Sequence, residues 1–212
     1  MRMRRFRWSL AALAAVLLSP AAHAKTPVDL QLVIAVDVSG SIDADEARLQ
    51  REGYVTAFAS ADVIKAVLSG PFRRIAVAYF EWSEASSQIV VMPWRLIDNP
   101  TESHAFSDAL AETPIARGRF TSISGAIQFA IPLFDDSAYE GVRRVIDISG
   151  DGPNNSGVLV VTARDAALAK GITINGLPIV NTRMERFGPP MPNLDLYYRD
   201  CVIGGPGAFY VL

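Results

Sequence analysis

A single cysteine, Cys201, stands among 212 residues, so no intramolecular disulfide holds this chain and its stability has to come from an apolar core. Histidine is almost as scarce. With only His23 and His104 present, and no nucleophile motif beside the helix-like segment of His104, a Ser-His-acid hydrolase has nothing to build on. Nothing in the sequence positions Cys201 against His104 as a thiol pair either. No glycine-rich loop ending in Lys is present to cradle phosphates. Repeats and low-complexity tracts are absent too, and beyond residue 24 no apolar run approaches the roughly 20 residues that cross a bilayer.

The N-terminus reads as a targeting segment. Arg2, Arg4, Arg5 and Arg7 precede an apolar run from Trp8 to Leu18, and Ala22-His23-Ala24 supplies a small-residue cleavage signal, so a signal peptide over residues 1–24 is expected. An uncleaved anchor would need a longer apolar span. No cysteine sits at the cleavage site to take a lipid. Cleavage after Ala24 leaves 188 residues, one domain's worth. Sixteen basic residues then face 22 acidic ones, a net charge of about −6 that disfavours nucleic acid and anionic membranes as partners. The expected location is the periplasm or the cell exterior.

The most informative stretch is Val33-Ile34-Ala35-Val36-Asp37-Val38-Ser39-Gly40-Ser41-Ile42-Asp43. Its apolar, β-branched run without alternation predicts a strand buried on both faces, as in a parallel sheet. Ligands bind at the C-terminal ends of such strands. One carboxylate and two hydroxyls on one tight turn, without thiol or imidazole, suit a hard divalent cation such as Mg²⁺, with Mn²⁺ or Ca²⁺ as alternatives.

Further along, strand-like and helix-like segments alternate, the mark of βαβ units and a mainly parallel, doubly wound α/β fold with helices on both faces. Asp43, Asp45 and Glu46 load the first turn of a helix whose Ala47, Tyr54, Val55 and Phe58 share a face. Ser69-Gly70-Pro71 closes that helical region. Arg74 to Trp82 predicts a second buried strand, and Gln88 to Met92 an antiparallel return strand at the sheet edge. A helix over Ser103 to Glu112 follows, then the segment Gly118 to Ala126, a polar loop feeding a helix with Ile123, Ile127, Ala130, Ile131 and Phe134 on its apolar face. Pro132 is expected to kink or end it. Val145 to Ser149 predicts a strand entering the turn-rich Gly150-Asp151-Gly152-Pro153-Asn154-Asn155. The next helix stops at Gly171, and Ile172 to Ile179 reads as one strand although Asn175-Gly176 is also a hairpin signal.

Asp37-Val38-Ser39-Gly40-Ser41, Thr121 in the loop before a helix, and Asp151 in Gly-Asp-Gly after a buried strand resemble the metal-ion-dependent adhesion site of von Willebrand factor type A domains. By that resemblance Ser39, Ser41 and, with ligand bound, Thr121 coordinate the metal through hydroxyls, while Asp37 and Asp151 act directly or through water. The mature chain, residues 25–212, is similar to a family of secreted bacterial proteins of this fold known as a domain of unknown function. Leu49-Gln50-Arg51-Glu52-Gly53-Tyr54, Arg143-Arg144-Val145-Ile146-Asp147, Ser149-Gly150-Asp151-Gly152, Ile174-Asn175-Gly176-Leu177 and Val202-Ile203-Gly204-Gly205-Pro206-Gly207-Ala208-Phe209 carry that similarity. Domains of this fold end with a helix after the last strand. Here the sequence stops at Leu212, so an exposed apolar patch near the C-terminus is expected.

Each residue also has a plainer use. Ser39 and Ser41 can cap a helix; Ser122 and Ser124 are alternatives to Thr121; Asp43 and Asp45 are either first-turn acids or a second cation site. Asp147, an acid within an apolar strand, needs a partner such as Arg143, Arg144 or a hydroxyl. Trp82 and Trp94 pack in the core or at its edge, or form a partner-binding patch. Met184 to Asn193 reads as an irregular loop, either a partner contact or a variable surface. Jointly, Asp37, Ser39, Ser41, Thr121 and Asp151 point to a non-enzymatic module in which the metal binds a carboxylate of a protein or peptide partner. A metal-assisted hydrolase and an assembly factor with a purely structural metal are the alternatives.

Overall fold

A computed structural model describes residues 24–180 and 191–212. The expected signal peptide, except Ala24, and residues 184–190 of the expected irregular loop lie outside the described residues. Five strands form one sheet in the order β3-β2-β1-β4-β5: β1 (Thr26–Asp37), β2 (Ile75–Trp82), β3 (Gln88–Ile97), β4 (Tyr139–Gly150) and β5 (Ile172–Pro178). β1 pairs in parallel with β2 and β4, β4 in parallel with β5, and only the β2–β3 pair is antiparallel. The expected mainly parallel α/β sheet with one antiparallel edge strand is therefore what forms. Strand order reverses at β1, so the loops after β1 and β4 open side by side. That is the switch point where such sheets bind ligands.

Hydrophobic periodicity decides which face each helix covers. The helices α1 (Ala44–Ala59), α2 (Ala61–Val67) and α3 (Pro100–Glu112) cover one face, burying Phe58, Val67, Phe106 and Leu110 against Ile34, Val36, Val77 and Tyr79. On the other face α4 (Ile123–Asp135) and α5 (Val160–Ala169) bury Ile127, Ala130, Phe134 and Ala163 against Val33, Ala35, Phe80 and Ile148. Every residue of β2 is buried, and Val33 to Val36 of β1 likewise. A run with no exposed side has no alternation to show.

Several local expectations are corrected. The first helical region is two helices, because Ser60 ends α1 and its hydroxyl accepts the Val63 N–H to cap α2. α4 runs past Pro132 to Asp135. The Gln128 carbonyl loses its partner at Pro132, but both residues are exposed and water can take the donor's place. β3 extends to Ile97 and β4 starts at Tyr139, both beyond their apolar segments, because backbone pairing continues through exposed edge residues. Asp147 accepts a 2.8 Å bond from Asn175 Nδ2 rather than from an arginine, since register sets the two side by side. Gly171 takes φ +69° at the end of α5.

Trp82 is fully buried, while Trp94 stacks near Phe134 and donates to the Leu133 carbonyl, so both tryptophans pack in or beside the core. After β5, a short helix α6 (Leu194–Tyr197) continues into a π-helical turn (Tyr198–Val202) whose Leu194, Tyr198 and Val202 join the core beneath α5. On the opposite face an open groove of about 460 Å³ lies between α1 and the end of β5, lined by Leu49, Gly53, Ala57, Leu177, Val180 and Leu212. Leu49, Val180 and Leu212 stand exposed around it.

Candidate metal centre

Three loops converge at the switch point. The chain leaving β1 bends back at once, because Asp37 Oδ1 accepts the Ser39 N–H at 2.7 Å. Ser39 Oγ lies 3.2 Å from Ser41 Oγ, and Ser41 Oγ donates to Asp151 Oδ1 at 2.8 Å. Asp37, Ser39, Ser41 and Asp151 thus form one hydrogen-bonded chain, its Ser41–Asp151 link joining residues 110 apart in sequence. Asp37 and Ser39 are buried, and so is Asp151.

The loop carrying Thr121 is fixed from both sides. Gly118 N donates to the Val38 carbonyl, Ser122 N to the Ser83 carbonyl, and Arg119 N to Glu84 Oε2. Asn155 Oδ1 accepts the Thr121 N–H at 2.9 Å while Asn155 N donates to the Thr121 carbonyl at 2.8 Å. Thr121 Oγ1 faces Gly152, 3.9 Å from where a Cβ there would sit. Ser122 Oγ caps α4 through Gly125 N and donates to the Ser156 carbonyl, and Ser124 Oγ turns toward the same carbonyl. Of the three candidate hydroxyls, Thr121 is the one that faces Gly152, the neighbour of Asp151. Asp43 caps α1 with Glu46 in a reciprocal box, so these first-turn acids serve the helix start.

Gly118 is where close approach matters. A Cβ there would lie 2.0 Å from Ser83 Cβ, an atom fixed to the backbone. Gly118→Ala is therefore expected to cost about 1–3 kcal/mol in a urea melt, as overpacking does. Adding Ser83→Gly should recover most of it. An unchanged midpoint in the single variant would mean that the two loops are free to part.

Electrostatically the site is unsatisfied. Asp37 is held well above the ordinary carboxylate value of 3.8, first by burial and then by the charge of Asp151. Asp151 is also raised by burial, partly countered by Ser41, with Glu46 adding to the rise. Asp37 Oδ2 and Asp151 Oδ2 are both buried without a hydrogen-bond partner. Two such carboxylates beside hydroxyls make a donor set that suits a hard dication, which would take both free oxygens and cancel their repulsion. Among the described residues no group of three or more His, Cys, Asp or Glu side chains converges. A cation at this point would be held by two carboxylates and hydroxyls.

Sequence reasoning missed the residues that hold these loops. Asn154 Oδ1 accepts the Ser124 N–H and Asn154 N donates to Tyr197 Oη, so Asn154 and Asn155 clamp the Thr121 loop to the Asp151 loop. They had been legible only as turn formers. Tyr198 Oη, fully buried and without a partner, was not signalled at all.

The doubly wound sheet, with Asp-x-Ser-x-Ser at the end of its central strand, gives the chain a fold like that of von Willebrand factor type A domains. The chain belongs to the family described as protein of unknown function (DUF1194), which matches residues 27–212. In fold it is similar to the conserved hypothetical protein BatB of Bacteroides thetaiotaomicron, with a TM-score of 0.57 and 19% identity over 86% of this chain and 89% of that one. It is likewise similar to the SpRpn10 VWA domain, at TM-score 0.56 and 14% identity over 87% of each chain. Proximal thread matrix protein 1 of the mussel byssus, in a structure with a zinc-occupied MIDAS motif, gives TM-score 0.60 and 13% identity over 74% of this chain and 39% of that one. No curated protein matches.

Proposed function

We propose that this chain is an exported module that binds a protein or peptide partner through a divalent cation held by Asp37, Ser39, Ser41, Thr121 and Asp151. The observation that carries the reading is the pair of buried carboxylate oxygens, Asp37 Oδ2 and Asp151 Oδ2, left without partners beside a string of hydroxyls. A bound Mg²⁺, Mn²⁺ or Ca²⁺ supplies an electrophilic position that an Asp or Glu of the partner completes. Asp37 and Asp151 provide two negative charges against the dication's two, and Ser39, Ser41 and Thr121 add neutral oxygens. The bound ion so keeps its appetite for a third carboxylate. Mg²⁺ is the preferred ion for a site built of hard oxygen donors.

Binding rather than turnover is favoured because, among the described residues, no histidine is bonded to the carboxylates or hydroxyls of the site. His104 is exposed on α3, across the sheet from Cys201, which packs with α5 and the Tyr198–Val202 turn. No helix among the described residues is long and apolar enough to cross a membrane. A cleaved signal peptide over residues 1–24 would deliver the domain to the periplasm or beyond.

Immobilised protein is expected to retain a partner from an envelope extract in Mg²⁺, release it in EDTA and fail to capture it as Asp37→Ala. Capture indifferent to both treatments would sink the reading. A chelator that lowers the melting temperature without changing capture would instead favour a metal that only staples the fold.

A further inference from the structure

Tyr198 lies in the π-helical turn that follows α6, a backbone form that concentrates at functional sites. Its ring is fully buried among the core side chains, yet its hydroxyl has no hydrogen-bond partner. Leaving a buried hydroxyl unpaired costs about 1–3 kcal/mol, and a Phe would fill the same space without that loss. The position of the hydroxyl gives the reason for it. A Cβ on Gly150 would lie 2.8 Å from Tyr198 Oη and 2.8 Å from Asp37 Oδ2. Both unpartnered oxygens thus border the space that a side chain at position 150 would fill, which only a glycine leaves open. Neighbouring Tyr197 accepts the Asn154 N–H, so the same short segment also holds the third loop.

We propose that Tyr198 is a positioning residue of the metal centre, its phenol O–H donating to the free oxygen of Asp37 when a cation occupies the site. This rests on the cation reading above. A phenol keeps its proton at neutral pH, so toward a carboxylate it acts as donor. A carboxylate oxygen carries two lone pairs, so Oδ2 can serve the phenol and a cation together, and the phenol bond fixes the rotation of Asp37. The C-terminal segment Leu194–Val202 thereby becomes part of the centre rather than only a cover for the sheet, although it lies about 160 residues from Asp37 in sequence.

The test is Mn²⁺ affinity, read as free Mn²⁺ by electron paramagnetic resonance, for wild type, Asp37→Asn and Tyr198→Phe. The expected result is a Kd raised about 10-fold or more in Tyr198→Phe, the range for outer partners of metal ligands, with a metal-free melting temperature equal to or above wild type. A merely structural tyrosine would lower that temperature and leave Kd alone. A Kd within twofold of wild type overturns the role. Wild type that binds no Mn²⁺ overturns the cation reading itself, so the two failures are distinguishable. Should Tyr198→Phe not fold, wild type decides: Mg²⁺ is expected to shift tyrosine absorbance to the red as the phenol bonds to an anion, and an unchanged spectrum overturns the proposal.

Discussion

Glu81→Ala is expected to lower the unfolding free energy by about 3–5 kcal/mol, the cost of leaving one partner of a buried ion pair alone. For a domain of this size that is roughly 6–20 °C in melting temperature. Glu81, 1% exposed on β2, meets Arg51 of α1, 5% exposed, at 2.5 Å between Oε1 and Nη2. The remaining bonding capacity is filled as well. Arg51 Nη1 donates to the carbonyls of Leu110 and Thr113 at 2.8 Å each, its guanidinium stands 5.3 Å over the Tyr79 ring, and Glu81 Oε2 accepts the Ala116 N–H at 2.7 Å. Alanine at 81 would leave a guanidinium without a counter-charge and the Ala116 amide without an acceptor. Arg51→Ala is expected to cost a similar amount. The double variant Arg51→Leu with Glu81→Leu should lose less than the two single losses added, because no uncompensated charge remains. A urea melt in which Glu81→Ala loses under about 1 kcal/mol would show that water reaches the pair.

The same ion pair marks the limit of what the sequence discloses. Arg51 and Glu81 lie 30 residues apart on a helix and a strand, and no linear spacing announces their meeting. An acid inside an apolar strand is a readable signal, and at Asp147 it correctly demanded a partner. Glu81, within the equally apolar Ile75–Trp82, carried the same signal without being read. Which residue answers such an acid is set by register, as Asn175 opposite Asp147 illustrates. The fold itself was legible because buried strands and amphipathic helices follow local periodicity. Asp37, Ser39, Ser41, Thr121 and Asp151 stood out because they cluster at strand ends, where topology converges. Asn154 and Asn155 look like ordinary turn residues whether they bond their own backbone or reach Ser124 and Thr121, about 30 residues away. Tyr198 had no signal, since a buried tyrosine reads like any aromatic in a core.

Adding Mg²⁺ at one hundred times its Kd is expected to stabilise the protein by ~2.7 kcal/mol, roughly 5–11 °C in melting temperature, and Asp37→Asn is expected to abolish that gain. Without metal the same substitution should stabilise the protein at pH 7. Burial holds Asp37 and Asp151 above their ordinary carboxylate range in the folded state, with the charge of Asp151 adding to the rise at Asp37 and that of Glu46 to the rise at Asp151. Below the unfolded value of 3.8 both states are protonated and these groups contribute no difference. As pH rises from there through the raised folded values, the unfolded chain releases protons that the folded one retains, so the contribution of this pair to stability falls. Asn at 37 removes the buried carboxyl that Asp151 repels. Subtracting the pH profile of metal-free Asp37→Asn from that of wild type cancels the other titrations and leaves this one. The difference should grow in favour of the variant as pH rises above the unfolded value of 3.8, and Mg²⁺ should reverse its sign by stabilising the charged pair. A flat difference, or a wild type indifferent to Mg²⁺ at every pH, would mean that the two carboxylates are not poised for a cation.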